Sequence, residues 1–426
     1  MLNWGLLGPE KLETKRRVRS LGIGSSVRIF NDLAVPGIGG IWFGRQLILP
    51  LIGIRLASLA RKRGQVVSNI EAANAVEAIA CLLSLASKYE SSDARIKGRN
   101  KFQNIVDEFS TLSFSKVRKK SFYVTQPMRM ASTTVLSSLG LVEPGESRFN
   151  SFVLSEKGNS LLDEAVSEYK PGKVDLIKYL NKWVSGVGVK LSSVTLRKAL
   201  SPILPSSTIT NSLIMESLKQ GRDANDAKRR RAILDWVETL RHESSSVSWN
   251  HKPESISNEH WQDLQAGAAF FEVRDRALEI LNCIESVIGS KDKRKFELSS
   301  QNINSDIEKS IKQTREAAEK YLAFKHIDPD ALAFCQDLSS ENDIDLISAL
   351  IARDGNVLQL RGDTVVPAVA FSGEAYTLLI AGERDESDGD WPQGMSFRIK
   401  NMFLLNADLN GDLDRHLSQV EIGEVE

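Results

Sequence analysis

The longest regular pattern in the sequence is the apolar spacing of residues 258–288, and it predicts a long, partly buried α-helix. Apolar residues recur there at three- and four-residue steps and multiples of them, at Trp261, Leu264, Ala268, Phe271 and Leu278. Side chains at this spacing share one helix face, so that face would pack on other helices. Asn258 stands where a helix N-cap is favoured. The pattern lasts only a few turns, which favours packing inside a globular domain over a coiled coil.

Several other segments repeat this spacing and predict amphipathic helices. They cover residues 68–89, 102–112, 226–242 and 305–324. Ser68 or Asn69 would cap the first of them, with Glu71 in its first turn. The number and length of these segments predict a mainly α protein.

The end of the chain changes character. Between residues 346 and 380, short apolar or β-branched runs alternate with Asp354-Gly355 and Gly362-Asp363, a pattern typical of hairpins. Residues 397–405 read as one more strand, and residues 383–390 as an acidic loop. We therefore predict a small α+β domain at this end.

Charge is divided unevenly along a chain whose formal net charge is zero. Residues 1–130 contain 21 Lys and Arg against 9 Asp and Glu, whereas residues 326–426 contain 6 against 20. A basic front is typical of a protein that binds a polyanion, although such charges can also simply solvate helix faces. The acidic end indicates either a separate partner or an electrostatic contact between the two ends of the chain.

Residues 33–60 come closest to a membrane span. Arg45 and Arg55 interrupt this segment, and Pro36 and Pro50 are expected to break it. We therefore predict no membrane partner, and instead a buried helix pair or an apolar face that docks a protein. The glycines between residues 37 and 44 would allow close backbone approach.

Signals of other protein classes are missing from the sequence. No secretory signal is read at the start, and Cys81, Cys283 and Cys335 lie far apart among apolar neighbours, which favours a reducing cytoplasm. The histidines form no metal-binding pair, and no catalytic motif stands out. We predict a cytoplasmic, non-enzymatic protein with no cofactor and no metal, although an active site assembled from distant residues stays open.

Residues 406–414 are similar to an EF-hand calcium loop at several positions. The segment starts with Asn406 in place of Asp, and Leu417 stands where the loop needs a bidentate Glu. We therefore interpret it as a turn before the final helix.

One stretch of the sequence predicts, in this order, a helix, a turn, a strand, a turn, a strand and a helix. Residues 127–139 predict a helix that ends at Gly140, and a Pro-Gly turn at residues 144–145 separates two extended runs. Residues 155–158 then open another helix. This order resembles a winged helix-turn-helix domain over roughly residues 116–165.

The resemblance implies that the helix at residues 127–139 enters a DNA groove while the wing lies along the backbone. Gln126 and Arg129 would read base edges, Thr133 would touch a base or phosphate, and Arg148 would follow the wing turn. The implied nucleic-acid-binding residues are Arg118, Lys119, Lys120, Gln126, Arg129, Thr133, Arg148 and Lys157.

Together these patterns predict a mainly α, helical multi-domain protein with an embedded winged helix and a small α+β C-terminal domain. The predicted segments are a basic helical N-terminal region (1–100), a winged helix-like domain (101–170), a helical domain with long helices (171–325) and an acidic α+β domain (326–426).

Two functions are compatible with this organisation. The first is a DNA-binding subunit that binds double-stranded DNA and recruits or positions partner proteins, as in a prokaryotic DNA-processing or phage-defence complex. The second is a protein-docking adaptor or scaffold subunit whose winged helix binds protein. Glu143 and Glu146 favour the second, because acids at the wing repel phosphate.

Overall fold

The computed structural model describes residues 19, 21–86, 93–108, 110–145, 147–242, 247–290, 294–326, 328–373 and 391–417. Over these residues the protein is mainly α-helical, which confirms the predicted class, and its strands are short. The first part contains α1 (Gly24–Ala34), α2 (Arg45–Lys62), α3 (Asn69–Leu85), α4 (Arg99–Glu108), β1 (Thr111–Leu112), α5 (Phe114–Val117), α6 (Arg129–Ser138), α7 (Glu156–Val166), α8 (Leu176–Val184), β2 (Val189–Lys190), α9 (Val194–Leu200), α10 (Thr208–Gln220) and α11 (Ala224–His242). The second part contains α12 (Asn258–Gly289), β3 (Phe296–Glu297), α13 (Ser305–Leu322), α14 (Pro329–Leu338), α15 (Asp343–Asp354), β4 (Leu358–Arg361), β5 (Thr364–Pro367), α16 (Phe397–Asn410) and α17 (Leu413–Leu417).

The predicted start of α3 is confirmed by its hydrogen bonds. The Ser68 hydroxyl accepts from the backbone N–H of Glu71 at 3.2 Å, and the Glu71 carboxylate accepts from the backbone N–H of Ser68 at 2.9 Å. The two residues thereby satisfy two N–H groups that have no partner within the helix. A local signal of this kind can be read from sequence because it does not depend on distant contacts.

The chain divides into two compact units that interleave along the sequence. Of the described residues, unit 1 contains those up to 33, 258–373 and 391–396, and unit 2 contains 34–257 and 397–417. The four consecutive segments predicted from the sequence do not match these units. The reason is that α1 packs with α12, and α16 packs with α11, across long stretches of chain.

Unit 1 has a hydrophobic core around α12 and α13, which pack along each other. Phe30 of α1 joins this core, with its ring centroid 5.0 Å from that of Phe270 and 6.0 Å from that of Tyr321. The predicted long helix at 258–288 is confirmed as α12. Its length is explained by the buried side chains that it carries along its whole course.

The small antiparallel sheet of unit 1 has the strand order β3–β5–β4. A hairpin turn predicted at Gly362 is confirmed, and its φ of 59° lies in the left-handed region that favours glycine. The other predicted turn is wrong: Gly355, with φ 57°, is the C-cap of α15. Residues 374–390, which include the predicted acidic loop, lie outside the described part of the chain.

The strand predicted at residues 397–405 is also wrong, because these residues form the first turns of α16. Their buried apolar members, Ile399, Met402 and Leu405, return at a spacing of three and continue to Leu409. This spacing places them on one helical face, where they pack against α10 and α11.

Unit 2 contains a close pair of helices, α2 and α3. The approach depends on Gly53, because a Cβ at this position would lie 2.4 Å from the Cα of Ala73. The buried helix pair predicted for residues 33–60 is present only in part: the segment contains the last residues of α1 and most of the buried helix α2, and residues 35–44 between them form turns and irregular backbone. Pro50 lies inside α2 and does not break it.

The two arginines of this segment are bonded within unit 2. Arg45 is buried and donates to the carbonyl oxygen of Ala199 at 2.6 Å, near the end of α9. Arg55 donates to Asn159 at 2.5 Å and to Asp163 at 3.2 Å, both on α7. Among the described residues, no helix combines the length and apolar character that crossing a bilayer requires.

The basic front and the acidic end of the chain meet within unit 2. Arg95 donates to the carboxylate of Asp414 at 2.8 Å, and the backbone N–H of Gly44 donates to Asp408 at 2.8 Å. An internal electrostatic contact between the two ends is therefore present. The calcium-loop-like segment begins as the end of α16, turns at Gly411 (φ 81°) and leads into α17, so the predicted turn before the final helix is present while residues 406–410 are helical.

Candidate nucleic-acid interface

The segment that resembles a winged helix contains α6 and α7, with only a short wing between them. Between α6 and α7, Val142 and Leu154 form a single antiparallel bridge. Gly140 (φ 73°) and Gly145 (φ 97°) provide the turns, while Glu146 lies outside the described residues. Where the second wing strand was predicted, residues 149–151 form a turn of 3-10 helix.

The short wing has a physical cause in α3. The side-chain amide of Asn69 donates to the carbonyl oxygens of Phe149 and Phe152, at 2.9 and 2.8 Å. A side chain thus satisfies backbone acceptors that a neighbouring strand would otherwise pair. The order of elements agrees with the resemblance, and membership of the winged helix family stays a prediction.

A buried carboxylate holds the start of α6. Glu77 of α3 accepts the backbone N–H groups of Met128 at 2.6 Å and Arg129 at 3.2 Å, and the hydroxyl of Tyr123 at 2.8 Å. Burial raises the pKa of Glu77, and these three donors oppose that shift because they stabilise the charged form. In a winged helix, this end of the helix would face DNA; here a carboxylate of the same unit occupies its N–H groups.

A glycine-rich loop covers another face of α6. The backbone N–H of Gly40 donates to the carbonyl oxygen of Ala131 at 3.3 Å. A Cβ at Gly39 would lie 2.5 Å from that same oxygen, and a Cβ at Gly37 would lie 2.3 Å from the hydroxyl oxygen of Ser138. The close backbone approach predicted from these glycines is therefore confirmed.

The residues predicted to read bases are half-buried in unit 2. Nε of Arg129 donates to the side-chain oxygen of Asn74 at 2.6 Å, and its guanidinium lies 5.4 Å above the ring centroid of Phe149. The Thr133 hydroxyl donates to the carbonyl oxygen of Arg129 at 3.2 Å. Gln126 is half-buried just before the helix.

Lys157 lies apart from the other predicted cations. It is half-buried on α7, and burial lowers the pKa of its ammonium group. The negative charge of Glu216 on α10 raises the pKa of Lys157, whereas the positive charge of Arg230 lowers it further. Lys157 therefore faces α10 and α11, where its charge is partly compensated.

Three of the predicted cations come together beside the start of α3. Arg118 donates to the carbonyl oxygen of Val66 at 2.9 Å and to the carboxylate of Glu71 at 2.6 Å. Lys119 and Lys120 follow directly and are exposed. The hydrogen bonds of Arg118 thus hold this part of the backbone, and with it Lys119 and Lys120, beside the start of α3.

Arg148 is brought to the same helix start by the 3-10 turn that follows it. The side-chain oxygen of Asn150 accepts the backbone N–H of Ile70 at 3.0 Å, next to the bonds from Asn69. The Arg148 side chain is exposed. The wing thus places Arg148 near Lys119 and Lys120.

The sequence analysis did not single out the cationic run at residues 61–63. Arg61 donates to the side-chain oxygen of Asn69 at 3.0 Å, and Arg63 donates to Asn181 of α8 at 2.5 Å. All three residues of the run are exposed. The run is visible in the sequence, but only the packing of α2 on α3 brings it beside the lysine pair.

We define the basic surface as five exposed cations around the start of α3: Lys62, Arg63, Lys119, Lys120 and Arg148. Within the part of the chain that the structure describes, none of the five forms an ion pair. Exposed cations that form no ion pair create a positive potential that raises the local concentration of anions, and the exposed Glu143 of the same wing lowers that potential. The arrangement can therefore hold a polyanion.

Arg129 and Arg148 are expected to respond differently to truncation. Arg129→Ala removes the bond to Asn74 and the contact with Phe149, so it should lower the free energy of unfolding by about 1–2 kcal/mol. Arg148→Ala removes an exposed side chain and should leave the melting temperature unchanged. Thermal denaturation of both variants measures this; equal melting temperatures would contradict the internal role of Arg129.

Compared with known proteins, the chain matches no protein-family model, no curated protein and no solved structure.

Proposed function

We propose that the protein is a DNA-binding subunit that holds double-stranded DNA on its basic surface and positions partner proteins beside it. The observation that supports this most strongly is the group of five exposed cations without ion-pair partners among the described residues. Duplex DNA carries one phosphate charge per roughly 1.7 Å of its axis. Adjacent cations can therefore neutralise several phosphates and release their counterions.

The setting that we propose is a cytoplasmic DNA-processing or phage-defence assembly of a prokaryote. It rests on the combination of a basic surface with large helical units. Partner proteins would bind surfaces outside the five cations, since those are occupied by DNA.

Charge removal at Lys119 and Lys120 is expected to weaken DNA binding. Fluorescence anisotropy with a short labelled duplex should show an affinity about tenfold lower for Lys119→Gln with Lys120→Gln. The plot of log affinity against log salt should also become shallower by about 2, because two phosphate contacts are lost.

A matched control removes the same charge from unit 1. Lys309 and Lys312 are exposed on α13, and Lys309→Gln with Lys312→Gln should leave both affinity and salt dependence unchanged. Failure of the native protein to bind duplex at low salt would refute the proposal. So would an equal loss of affinity in the control, since total charge rather than this surface would then determine binding.

A second candidate is an adaptor that docks an acidic partner protein. Val66 is 88% exposed, and its carbonyl oxygen accepts the hydrogen bond from Arg118, so the basic surface has an apolar centre. An apolar side chain among cations fits a protein partner better than a phosphate backbone. A stoichiometric partner that survives nuclease and high salt, and is lost in Val66→Ser, would favour the adaptor.

A further inference from the structure

We infer that the basic surface contacts the phosphate backbone of duplex DNA without reading its sequence and without stacking on single strands. This inference rests on the proposed function and says how the same surface contacts the duplex. The arrangement of α6, the origin of the five cations and the burial of the nearby rings each support it.

α6 lacks free side chains that could read a base edge through paired hydrogen bonds. Direct readout uses Arg, Lys, Asn or Gln side chains that pair with base edges. Among these types α6 contains only Arg129, which is bonded to Asn74 and covers Phe149. The most exposed large side chain of α6 is Met130, at 55%, and a thioether cannot form the paired hydrogen bonds that distinguish bases.

The backbone of α6 is also occupied. Glu77 accepts the N–H groups at its start, and Gly40 approaches the carbonyl oxygen of Ala131. A helix that enters the major groove must leave one face free along its first turns. α6 packs two faces against other elements of unit 2, and the face that it leaves free carries Met130 and Thr134, which cannot form paired hydrogen bonds with a base edge.

The five cations come from the ends of three separate segments. Lys62 and Arg63 stand at the end of α2, Lys119 and Lys120 follow α5, and Arg148 precedes the 3-10 turn. No single helix presents them as a row that could enter a groove. Three of the five are lysines, compact point charges that suit phosphate, and contacts to phosphate carry no sequence information.

The aromatic rings next to these cations are buried. Phe114 is 3% exposed, Phe149 is 5% exposed and Trp183 is 1% exposed. Tyr179 on α8 is half-buried. Proteins that hold single strands stack successive bases on exposed rings, and one half-buried ring does not provide such a platform. A rigid duplex with regular phosphate rows is the better ligand.

Competition experiments with the full chain test this inference. A labelled duplex is displaced by unlabelled duplexes of unrelated sequence and by single strands of equal length. Unrelated duplexes should compete within about threefold of each other, below the roughly fivefold or more that one wrong base pair costs a sequence reader. Single strands should compete at least about tenfold less well, because they lack a stacking platform.

Two variants on α6 sharpen the test. Met130→Ala and Thr134→Ala alter exposed positions and should leave the affinity for every duplex unchanged. A preference for one sequence that either variant weakens, or single strands that compete as well as duplex, would overturn the inference while the proposed function stands. Absence of binding to any DNA would refute the proposed function itself.

Discussion

Gly53→Ala is expected to destabilise unit 2 by about 3 kcal/mol. A Cβ at this position would lie 2.4 Å from Cα, 2.6 Å from the backbone nitrogen and 2.7 Å from Cβ of Ala73. Because two of these atoms belong to the backbone of α3, no side-chain rotation removes the clash, and the two helices must separate. Thermal unfolding followed by circular dichroism measures the loss.

Whether Gly53→Ala is less or more stable than the native protein distinguishes a packing clash from an effect of helix propensity. Alanine favours a helix interior over glycine by about 1 kcal/mol, so propensity alone predicts a more stable protein. Gly24→Ala in α1 is the control, since the nearest atom to its Cβ would be the end of the flexible Arg28 side chain, 3.9 Å away. A melting temperature for Gly53→Ala at or above that of the native protein would show that α2 and α3 do not pack through this contact.

Glu77→Ala is expected to lower the free energy of unfolding by about 3–5 kcal/mol. The substitution removes the acceptor of three donors at once: two backbone N–H groups and the Tyr123 hydroxyl. Buried donors without an acceptor lose their hydration and gain nothing in return. Chemical denaturation of the variant measures the effect, and the start of α6 should be the region that loses amide protection.

Two milder variants distinguish the loss of the hydrogen-bond acceptor from the loss of the side-chain volume of Glu77. Tyr123→Phe deletes one donor and should cost only about 1 kcal/mol. Glu77→Gln keeps the side-chain shape and one oxygen acceptor, so it should lie between Tyr123→Phe and Glu77→Ala. A Glu77→Ala variant as stable as Tyr123→Phe would contradict the capping role.

The raised pKa of Glu77 adds a pH dependence with a defined sign. A carboxyl group whose folded-state pKa exceeds its unfolded value contributes stability at low pH, which is lost as pH rises through the folded-state pKa. Glutamine does not titrate. The advantage in stability of the native protein over Glu77→Gln should therefore shrink as pH rises above about 4.3, the pKa of a solvated glutamate.

The helices could be predicted wherever their signals are local. Ser68 with Glu71 marks the start of α3, and the apolar spacing of residues 258–288 gives α12 almost to the residue. Residues 397–405 were misread because their apolar run is short, and packing against α10 and α11 decides their conformation. The division into units depends on contacts between distant segments, which no local pattern encodes.

At the candidate site, too, the sequence identifies individual cations but not the contacts with distant residues that decide their exposure. Lys119, Lys120 and Arg148 could be picked out as cations and are exposed. Arg129 looked equally suitable, but its partners Asn74 and Phe149 come from other parts of unit 2 and hold it half-buried against them. The run at residues 61–63 joins the surface only through the contact of α2 with α3.

The salt dependence of duplex binding by the native protein tests the central claim most directly. Five phosphate contacts predict that log affinity falls with log salt at a slope of roughly −4 to −5, about 0.9 for each contact. Anisotropy titrations over a series of salt concentrations give this slope. A steep negative slope is the result that the basic surface predicts; no binding at low salt, or a slope near zero, would contradict it.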